Sequence, residues 1–272
     1  MHERISASSL NFLGESFEQL VDHWTALEPH RIAMFSGQIP VGEEASIRDA
    51  TAPRGWQMES VTHVFLPSGT NLSPHEEDWI APRERLSQAI KSSVAVGARS
   101  IYMLTGGRGT MTWEDAAECF SRAIEPCVAE AEQAGLKLMI ENAPFLYVDG
   151  HIGSTLRDTI TLAEMAGIGV NIELFACWYE AGLDKMIRHI VPRCDLVQVS
   201  DYVFGDRSLP ARAVPGDGMI PLKRIFGWLL DAGYEGAFDL EMMGPRIEKE
   251  GRREATRRAA DYTTKILEEL GA

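Results

Sequence analysis

The stretch PGDGMIPLKRIFGWLLDAGYEGAFDLE, residues 215–241, decides the fold because it contains one complete helix–strand unit. From Pro221 to Ala232, apolar residues recur at helical spacing, which predicts an amphipathic helix. Gly233 follows, and a glycine in the left-handed conformation commonly ends a helix. The largely apolar run Ala237–Met242 then predicts a buried strand with the acid Glu241 near its end.

The same alternation of short apolar runs and longer amphipathic segments extends through the rest of the chain. Eight runs are predicted strands: Arg4–Ser9, Arg31–Phe35, Val61–Leu66, Ser100–Thr105, Lys137–Asn142, Gly169–Leu174, Asp195–Ser200 and Ala237–Met242. Further helices are predicted at Pro82–Val96, after Thr112, at Ser154–Ala166 and in a last segment that ends near Leu270. Eight such units in 272 residues are typical of a (β/α)8 TIM barrel, so we expect residues 1–272 to form a single domain of the α/β class.

The main alternative to a barrel is a doubly wound open sheet. Such sheets commonly carry a GxGxxG motif or a P-loop after an early strand, and neither is present. The segment Gly106–Gly109, GGRG, follows the fourth predicted strand but lacks the lysine and the spacing of a P-loop. We therefore interpret it as a flexible βα loop and predict the barrel.

Composition restricts the classes of function. The chain has 26 basic and 40 acidic residues, a net charge of −14, and 45% hydrophobic residues. An acidic surface repels phosphodiester backbones, so we expect no nucleic-acid partner. No run approaches the roughly 20 apolar residues of a membrane span, and no signal peptide is recognised at the start. The four cysteines form no CxxC pair, which favours reduced thiols. These features predict a soluble cytoplasmic protein with no membrane partner.

Polar side chains interrupt four of the late apolar runs. They are Glu141 in LMIENAP, Glu173 in VNIELF, Gln198 in LVQVSD and Glu241 in FDLEMM. Because the active sites of barrels lie at the C-terminal ends of the strands, we expect these side chains to meet at one mouth. Three converging carboxylates repel each other and need a cation, a positive side chain or a shared proton. Ligand sets made only of oxygen favour Mg²⁺ or Mn²⁺ over zinc.

Two stretches resemble the xylose-isomerase-like TIM-barrel superfamily of sugar isomerases, epimerases, inosose dehydratases and endonuclease IV relatives. Residues 215–241 resemble its P-G-(E/D)-G, helix, G-Y-x-G and strand ending in Glu. AEQAGLKLMIEN, residues 131–142, is similar to its helix, Gly and E-N strand. The resemblance runs from about Gly97 to Gly244 and implies a divalent ion, Mn²⁺, Mg²⁺ or Co²⁺, held by residues of the last four strands. The corresponding ligands here are Glu141, Glu173, Gln198 and Glu241.

The chain departs from the family pattern at every histidine. Gln198 stands where the family usually has His, and Ala143 and Ala176 occupy two other positions that are often His. Glu173 replaces the usual Asp and keeps its charge. An amide oxygen is a weaker ligand for transition metals than imidazole. The site is therefore expected either to hold a harder ion, Mn²⁺ or Mg²⁺, or to be neutralised by protons and Arg212.

The resemblance also implies roles for individual residues. In the family's isomerases two glutamates flank a hydroxy-ketone, and one removes the proton next to the carbonyl while the other returns one. Glu141 and Glu241 match this acid/base pair. Arg212 matches a basic residue that contacts substrate in the ketose epimerases. His63, late in the third strand, is the one histidine expected to reach the site.

Aromatic residues near the predicted mouth indicate a substrate that is bulkier or less polar than a small free sugar. Those expected at the mouth are Trp113, Phe145, Tyr147, Phe175 and Trp178, of which Trp113 and Trp178 are predicted to bind substrate. Asp217, inside PGDG, is expected to shape the turn and to orient Arg212.

Three functions remain open. The first is a sugar or polyol-type isomerase or epimerase that acts on a small keto or hydroxy substrate. The second is a lyase or dehydratase on a keto-sugar or on a keto substrate with a cyclic or aromatic group, because the first step is shared. The third is a non-catalytic carbohydrate-binding barrel. An apurinic-site nuclease is disfavoured by the acidic charge and the missing histidines. Relatives commonly form dimers or tetramers, so a homodimer or homotetramer is expected.

Overall fold

Eight parallel strands close into a barrel in the computed structural model, which describes residues 1–272. The eight barrel strands are β1 (Ile5–Ser8), β2 (Arg31–Phe35), β3 (Gln57–Val64), β4 (Ser100–Leu104), β5 (Lys137–Glu141), β6 (Gly169–Glu173), β7 (Leu196–Val199) and β10 (Ala237–Leu240). Two short strands between β7 and β10, β8 (Asp201–Tyr202) and β9 (Arg212–Ala213), form a separate antiparallel hairpin. Strands β1 to β7 follow each other around the ring, and β10 closes it between β7 and β1. The prediction of a single (β/α)8 barrel is confirmed.

Helices cover the outside of the barrel. They are α1 (Phe17–Leu27), α2 (Glu44–Thr51), α3 (Ile80–Ala95), α4 (Trp113–Gln133), α5 (Leu156–Ala166), α6 (Leu174–Cys177), α7 (Leu183–Ile190), α8 (Leu222–Asp231), α9 (Pro245–Glu250) and α10 (Arg252–Leu270). The side chain of Thr112 accepts a hydrogen bond from the N–H of Asp115, as expected of a residue that begins a helix. Gly167 ends α5 with a φ of 72°. None of the helices is both long enough and apolar enough to span a bilayer.

Side chains alternate between the two faces of each strand, and the inner face of the barrel becomes polar toward one end. On β10, Phe238 belongs to the main apolar core between strands and helices. A small separate cluster lies inside the barrel and consists of Tyr102, Met139, Leu196 and Ala237. Residues two apart on a strand share a face, so Asp239 and Glu241 continue the inner face above Ala237. The C-terminal end of the barrel is therefore lined by acidic side chains.

The hairpin of β8 and β9 places Arg212 opposite Tyr202. The loop that follows the hairpin is anchored by the buried carboxylate of Asp201. This carboxylate accepts hydrogen bonds from the backbone N–H groups of Gly216 at 2.9 Å, Gly218 at 3.0 Å and Ile220 at 2.9 Å. A Cβ at Gly218 would lie 2.3 Å from Oδ1 of Asp201, so only glycine fits there.

Asp217 does not orient Arg212, contrary to the prediction. Its carboxylate forms a salt bridge with Arg258 at 2.6 Å, and both side chains are more than two-fifths exposed. The backbone at this turn is instead held by Asp201, which lies fifteen residues before Gly216 in the chain. The acid that fixes the loop is therefore the buried one, not the one inside the PGDG motif.

Candidate active site

The three glutamates and the glutamine expected to share one site all lie buried at the C-terminal end of the barrel. Glu141 and Glu173 are the last residues of β5 and β6, Gln198 lies on β7, and Glu241 directly follows β10. Gln198 lies opposite Glu173 in the pairing of β7 with β6. None of the four residues is more than 7% exposed. The structure thus brings the four residues to one pocket.

Arg212 enters this pocket from the β8–β9 hairpin. One terminal nitrogen of its guanidinium lies 2.8 Å from Oε1 of Glu241 and 3.7 Å from Oε1 of Glu173. The guanidinium carbon also lies 5.2 Å from the centre of the Phe175 ring, which is cation–π distance. Burial alone would lower the pKa of Arg212, but Glu241, Glu173 and Glu141 raise it above its ordinary value. Arg212 is therefore a permanent cation among the carboxylates.

Gln198 is held in one orientation by its two neighbours. Its Oε1 accepts a hydrogen bond from Nδ2 of Asn171 at 2.5 Å. Its Nε2 donates to Oε2 of Glu241 and, at 3.2 Å, to the hydroxyl of Tyr102. The opposite orientation of the amide would place its oxygen against the carboxylate of Glu241. It would also place its NH₂ group against the NH₂ group of Asn171. The amide of Gln198 therefore presents hydrogen atoms to Glu241.

Glu173 is positioned through both its backbone and its side chain. The side-chain amide of Asn142 forms two hydrogen bonds with the backbone of Glu173. Its Oδ1 accepts from the N–H of Glu173 at 2.9 Å, and its Nδ2 donates to the carbonyl oxygen of Glu173 at 2.9 Å. Oε1 of Glu173 accepts a hydrogen bond from the N–H of Phe175 at 3.0 Å, while Oε2 is buried without a partner. Burial raises the pKa of Glu173 to about 7, although Arg212 opposes the shift. One oxygen of this group is thus left for a ligand.

Glu141 differs from Glu241 in its surroundings. The salt bridges of Arg212 go to Glu241 and Glu173, not to Glu141. Burial and the nearby charges of Glu241 and Glu173 raise the pKa of Glu141 well above its ordinary value. Its backbone is fixed by His151, whose Nε2 lies 2.7 Å from the carbonyl oxygen of Glu141. Burial and these neighbouring charges therefore favour the neutral form of the Glu141 carboxyl group.

Aromatic side chains border the acidic pocket on the side of the hairpin. The ring of Tyr202 lies 6.1 Å from Phe175 and 6.3 Å from Trp178, measured between centroids. Tyr147 lies close enough to the cluster for the charges of Arg212 and Glu241 to act on its hydroxyl, whose pKa is raised mainly by burial. We call Phe175, Trp178 and Tyr202 the aromatic wall. Phe145, which was also expected at the mouth, is 68% exposed.

Two residues predicted to bind substrate make other contacts in the structure. Trp113 begins α4, and its indole N–H donates to the carbonyl oxygen of Ile152 at 3.0 Å, so it packs under a loop. His63 points to the outer face of β3, where it lines a cavity with Arg85 of α3. Its Nδ1 lies 3.2 Å from the hydroxyl of Ser36, and burial lowers its pKa to about 4. The expectation that His63 enters the barrel mouth does not match the structure.

The donors in the pocket do not fit the expected Mn²⁺ or Mg²⁺ ion. A divalent ion needs several oxygen ligands that face one point. Here Gln198 offers nitrogen to Glu241, and these two side chains are in direct contact with no room for an ion between them. The guanidinium of Arg212 occupies the gap between Glu241 and Glu173. No group of three acidic, histidine or cysteine side chains converges on a point that could hold a metal.

Three polar residues of the pocket were missed in the sequence. Tyr102 lies within the apolar run SIYML and has no polar neighbours to signal it. Asn171 and Asp239 lie two residues before Glu173 and Glu241, on the same faces of their strands. The period of two along a strand could have identified both.

The sequence matches the family model of the xylose isomerase-like TIM barrel over residues 14–266. The chain belongs to this family. Among solved structures, protein SMc04130 from Sinorhizobium meliloti 1021 superposes with a TM-score of 0.85 at 20% identity, and the match covers 97% of this chain and 98% of that one. No curated protein matches the sequence significantly.

Two further solved structures carry functional descriptions. One is an L-ribulose 3-epimerase, with a TM-score of 0.82, 17% identity, and coverage of 99% of this chain and 96% of that one. The other is the IolI protein with a bound zinc atom, with a TM-score of 0.81, 11% identity, and coverage of 98% and 99%. At these identities the likeness shows the fold alone.

Proposed function

We propose that the protein is a sugar or polyol-type isomerase or epimerase that removes a proton next to a carbonyl group. One observation carries the proposal: two glutamates of one pocket have different neighbours. Glu241 accepts hydrogen bonds from the guanidinium of Arg212 at 2.8 Å and from the amide of Gln198. Glu141 is buried without a salt bridge, which favours its neutral form. Enolisation needs such a base and acid in one site.

In this proposal Glu241 takes the proton from the carbon, and Glu141 supplies a proton to the enediolate. As the proton leaves, negative charge develops on the carbonyl oxygen of the substrate. Nε of Arg212 is buried without a partner and can donate to that oxygen. Oε2 of Glu173 is likewise free to accept from a substrate hydroxyl. A small neutral hydroxy-ketone has both a carbonyl oxygen that can accept from Nε of Arg212 and a hydroxyl that can donate to Oε2 of Glu173.

A lyase or dehydratase that acts on the same enolate is the second candidate. The aromatic wall of Phe175, Trp178 and Tyr202 favours it, because such rings bind the faces of cyclic or aromatic groups. If a hydroxyl group leaves from the carbon beside the enolate, Glu141 can protonate it as it departs. The two candidates differ only after the first proton transfer.

Solvent deuterium exchange tests the proposal. Ketoses and cyclic hydroxy-ketones are incubated with the protein in D₂O, and the carbon-bound deuterium is followed by NMR. Exchange with an isomerised product supports the isomerase, and exchange with loss of water supports the dehydratase. Glu235→Gln, a change of an exposed glutamate outside the pocket, is the control for Glu241→Gln. Sugar binding without any exchange would favour the non-catalytic carbohydrate-binding barrel instead.

We also propose a cytoplasmic enzyme that forms a homodimer or homotetramer and takes a small molecule rather than a nucleic acid or a membrane as its partner. The four free cysteines, three of them buried, support a reducing compartment. The net charge of −14 supports the absence of a nucleic-acid partner. Sedimentation equilibrium of the purified chain measures the oligomeric state.

A further inference from the structure

We infer that Arg212 is the resident cation of the active site and stabilises the enediolate in place of a divalent ion. The inference deepens the proposed function and rests on it for the enediolate, whereas the claim about the cation stands on the geometry of the pocket alone. It makes the reaction one that needs no added metal. Three observations support it, one from the cation, one from the amide and one from the hairpin.

The first observation is the position of the guanidinium. Arg212 is 3% exposed and lies 2.8 Å from Glu241 and 3.7 Å from Glu173, with the Phe175 ring against its face. A guanidinium is planar and weakly hydrated, so it is suited to a buried pocket of carboxylates. A divalent ion bound to the same oxygens would have to displace it or lie beside a like charge. Neither arrangement is favourable.

The second observation is the direction of the Gln198 amide. Its oxygen is occupied by Asn171, and its nitrogen is bonded to Glu241. An amide nitrogen has no lone pair that can bind a metal, so Gln198 is not a ligand in this arrangement. The contact instead adds a second donor to the carboxylate that Arg212 already holds. The charge of Glu241 is therefore compensated without an ion.

The third observation is that the protein fixes Arg212 rigidly. The hairpin residue Tyr202 lies opposite Arg212, and the loop that follows is tied to Asp201 by three backbone hydrogen bonds. A donor that is fixed before the reaction stabilises developing charge without a reorganisation cost. The unpartnered Nε of Arg212 provides that donor. The substrate oxygen therefore meets a group already in place.

Metal content and thermal unfolding of the purified full chain test the inference. Elemental analysis is expected to find a divalent ion at well below one per chain. The Tm is expected to be unchanged by EDTA, by Mn²⁺ and by Mg²⁺. A stoichiometric ion whose removal lowers the Tm would overturn the inference. This measurement uses the unmodified protein, so it does not depend on the folding of any variant.

Arg212→Met gives the converse test. It removes the cation and leaves Glu241 and Glu173 uncompensated, so the variant is expected to unfold at a lower Tm and to gain a Tm increase with Mn²⁺ that the unmodified protein lacks. Arg193→Met, at an exposed site before β7, is the matched control and should show neither change. An Arg212→Met protein with the same Tm and the same response to Mn²⁺ as the unmodified chain would contradict the inference.

The deuterium-exchange assay separates the two proposals. If exchange occurs and EDTA abolishes it, the proposed function holds and the role of Arg212 fails. If no candidate substrate exchanges but the chain binds no ion, the cation assignment holds and the proposed function fails. Exchange that persists in EDTA and is lost in Arg212→Met supports both.

Discussion

Oε1 of Glu241 lies 2.8 Å from the guanidinium of Arg212, and both side chains are at most 5% exposed. A buried pair of this kind cannot lose one partner without leaving the other uncompensated. The pair therefore links the base of the proposed reaction to the hairpin that carries the cation.

Glu241→Gln is expected to abolish proton abstraction while keeping the shape of the side chain. Removing a general base costs about 10²–10⁴-fold in rate. Deuterium exchange into the substrate measures this loss, and circular dichroism checks that the barrel is intact. Full exchange by Glu241→Gln would show that another group is the base.

The free energy of unfolding is expected to fall as the pH rises from about 5 to about 7. The folded protein raises the pKa of Glu173 from 4.5 to about 7, so between these values the folded state binds more protons than the unfolded state. The stability contributed by the protonated group is present below the unfolded pKa and is lost as the pH rises through the folded one. The slope is at most about 1.4 kcal/mol per pH unit for one group.

Urea unfolding across this pH range measures that slope. Glu173→Gln has no titrating group at this position and is expected to show a shallower dependence. Glu141 shifts in the same direction, so a residual slope of the same sign is expected in the variant. Equal slopes for the two proteins would contradict the assignment of Glu173.

Asp201→Asn is expected to destabilise the protein by about 1–3 kcal/mol, because buried backbone N–H groups lose a charged acceptor. The loop that carries Gly216 and Gly218 would loosen, and with it the position of Arg212. Asp217→Asn is the matched control, since it breaks only the exposed pair with Arg258 and should cost less than about 1 kcal/mol. Chemical denaturation measures both variants, and equal effects would refute the anchoring role of Asp201.

Trp178→Leu is expected to raise the KM for a ring-bearing substrate by up to about tenfold with little change in kcat, because stacking contributes about 0.5–1.5 kcal/mol. Trp113→Phe, which loses its hydrogen bond to Ile152, is expected to lower the Tm without changing the KM. Steady-state kinetics and thermal unfolding of the two variants separate substrate binding from loop packing. A raised KM in Trp113→Phe would restore that residue to the site.

His63→Leu is expected to leave the rate of deuterium exchange unchanged. His63 faces away from the barrel mouth, and its Nε2 is buried without a hydrogen-bond partner. The change removes the unpaired Nε2 but also the contact of Nδ1 with Ser36, so only a small change in stability is expected. A large loss of exchange would show that His63 acts in the reaction after all.

The fold could be predicted from the sequence because each strand–helix unit carries its own signals. The apolar run of β10 and the amphipathic pattern of α8 reveal one unit without reference to any other part of the chain. Glu141, Glu173 and Glu241 could be found because each interrupts an apolar run at a strand end. Local pattern and barrel geometry together place these side chains at one mouth.

The compensation of charge in the pocket could not be predicted in the same way. Arg212 arrives on a two-residue strand within a long irregular segment, where no periodicity indicates the direction of a side chain. The orientation of Gln198 depends on Asn171, which comes from the neighbouring strand. His63 was assigned to the wrong face, although it lies two residues after Val61 on β3 and therefore shares the face that packs in the main apolar core.

The anchoring of the hairpin by Asp201 has a consequence for how relatives of this protein can diverge. Residues 203–211 form the loop that connects Tyr202 of β8 to Arg212 of β9, two residues that are paired in the hairpin. This segment is open to solvent, and Phe204 at its start is 82% exposed. Insertions and deletions there leave the reacting groups in place. The length of this segment can thus vary while the positions of Tyr202 and Arg212 are kept.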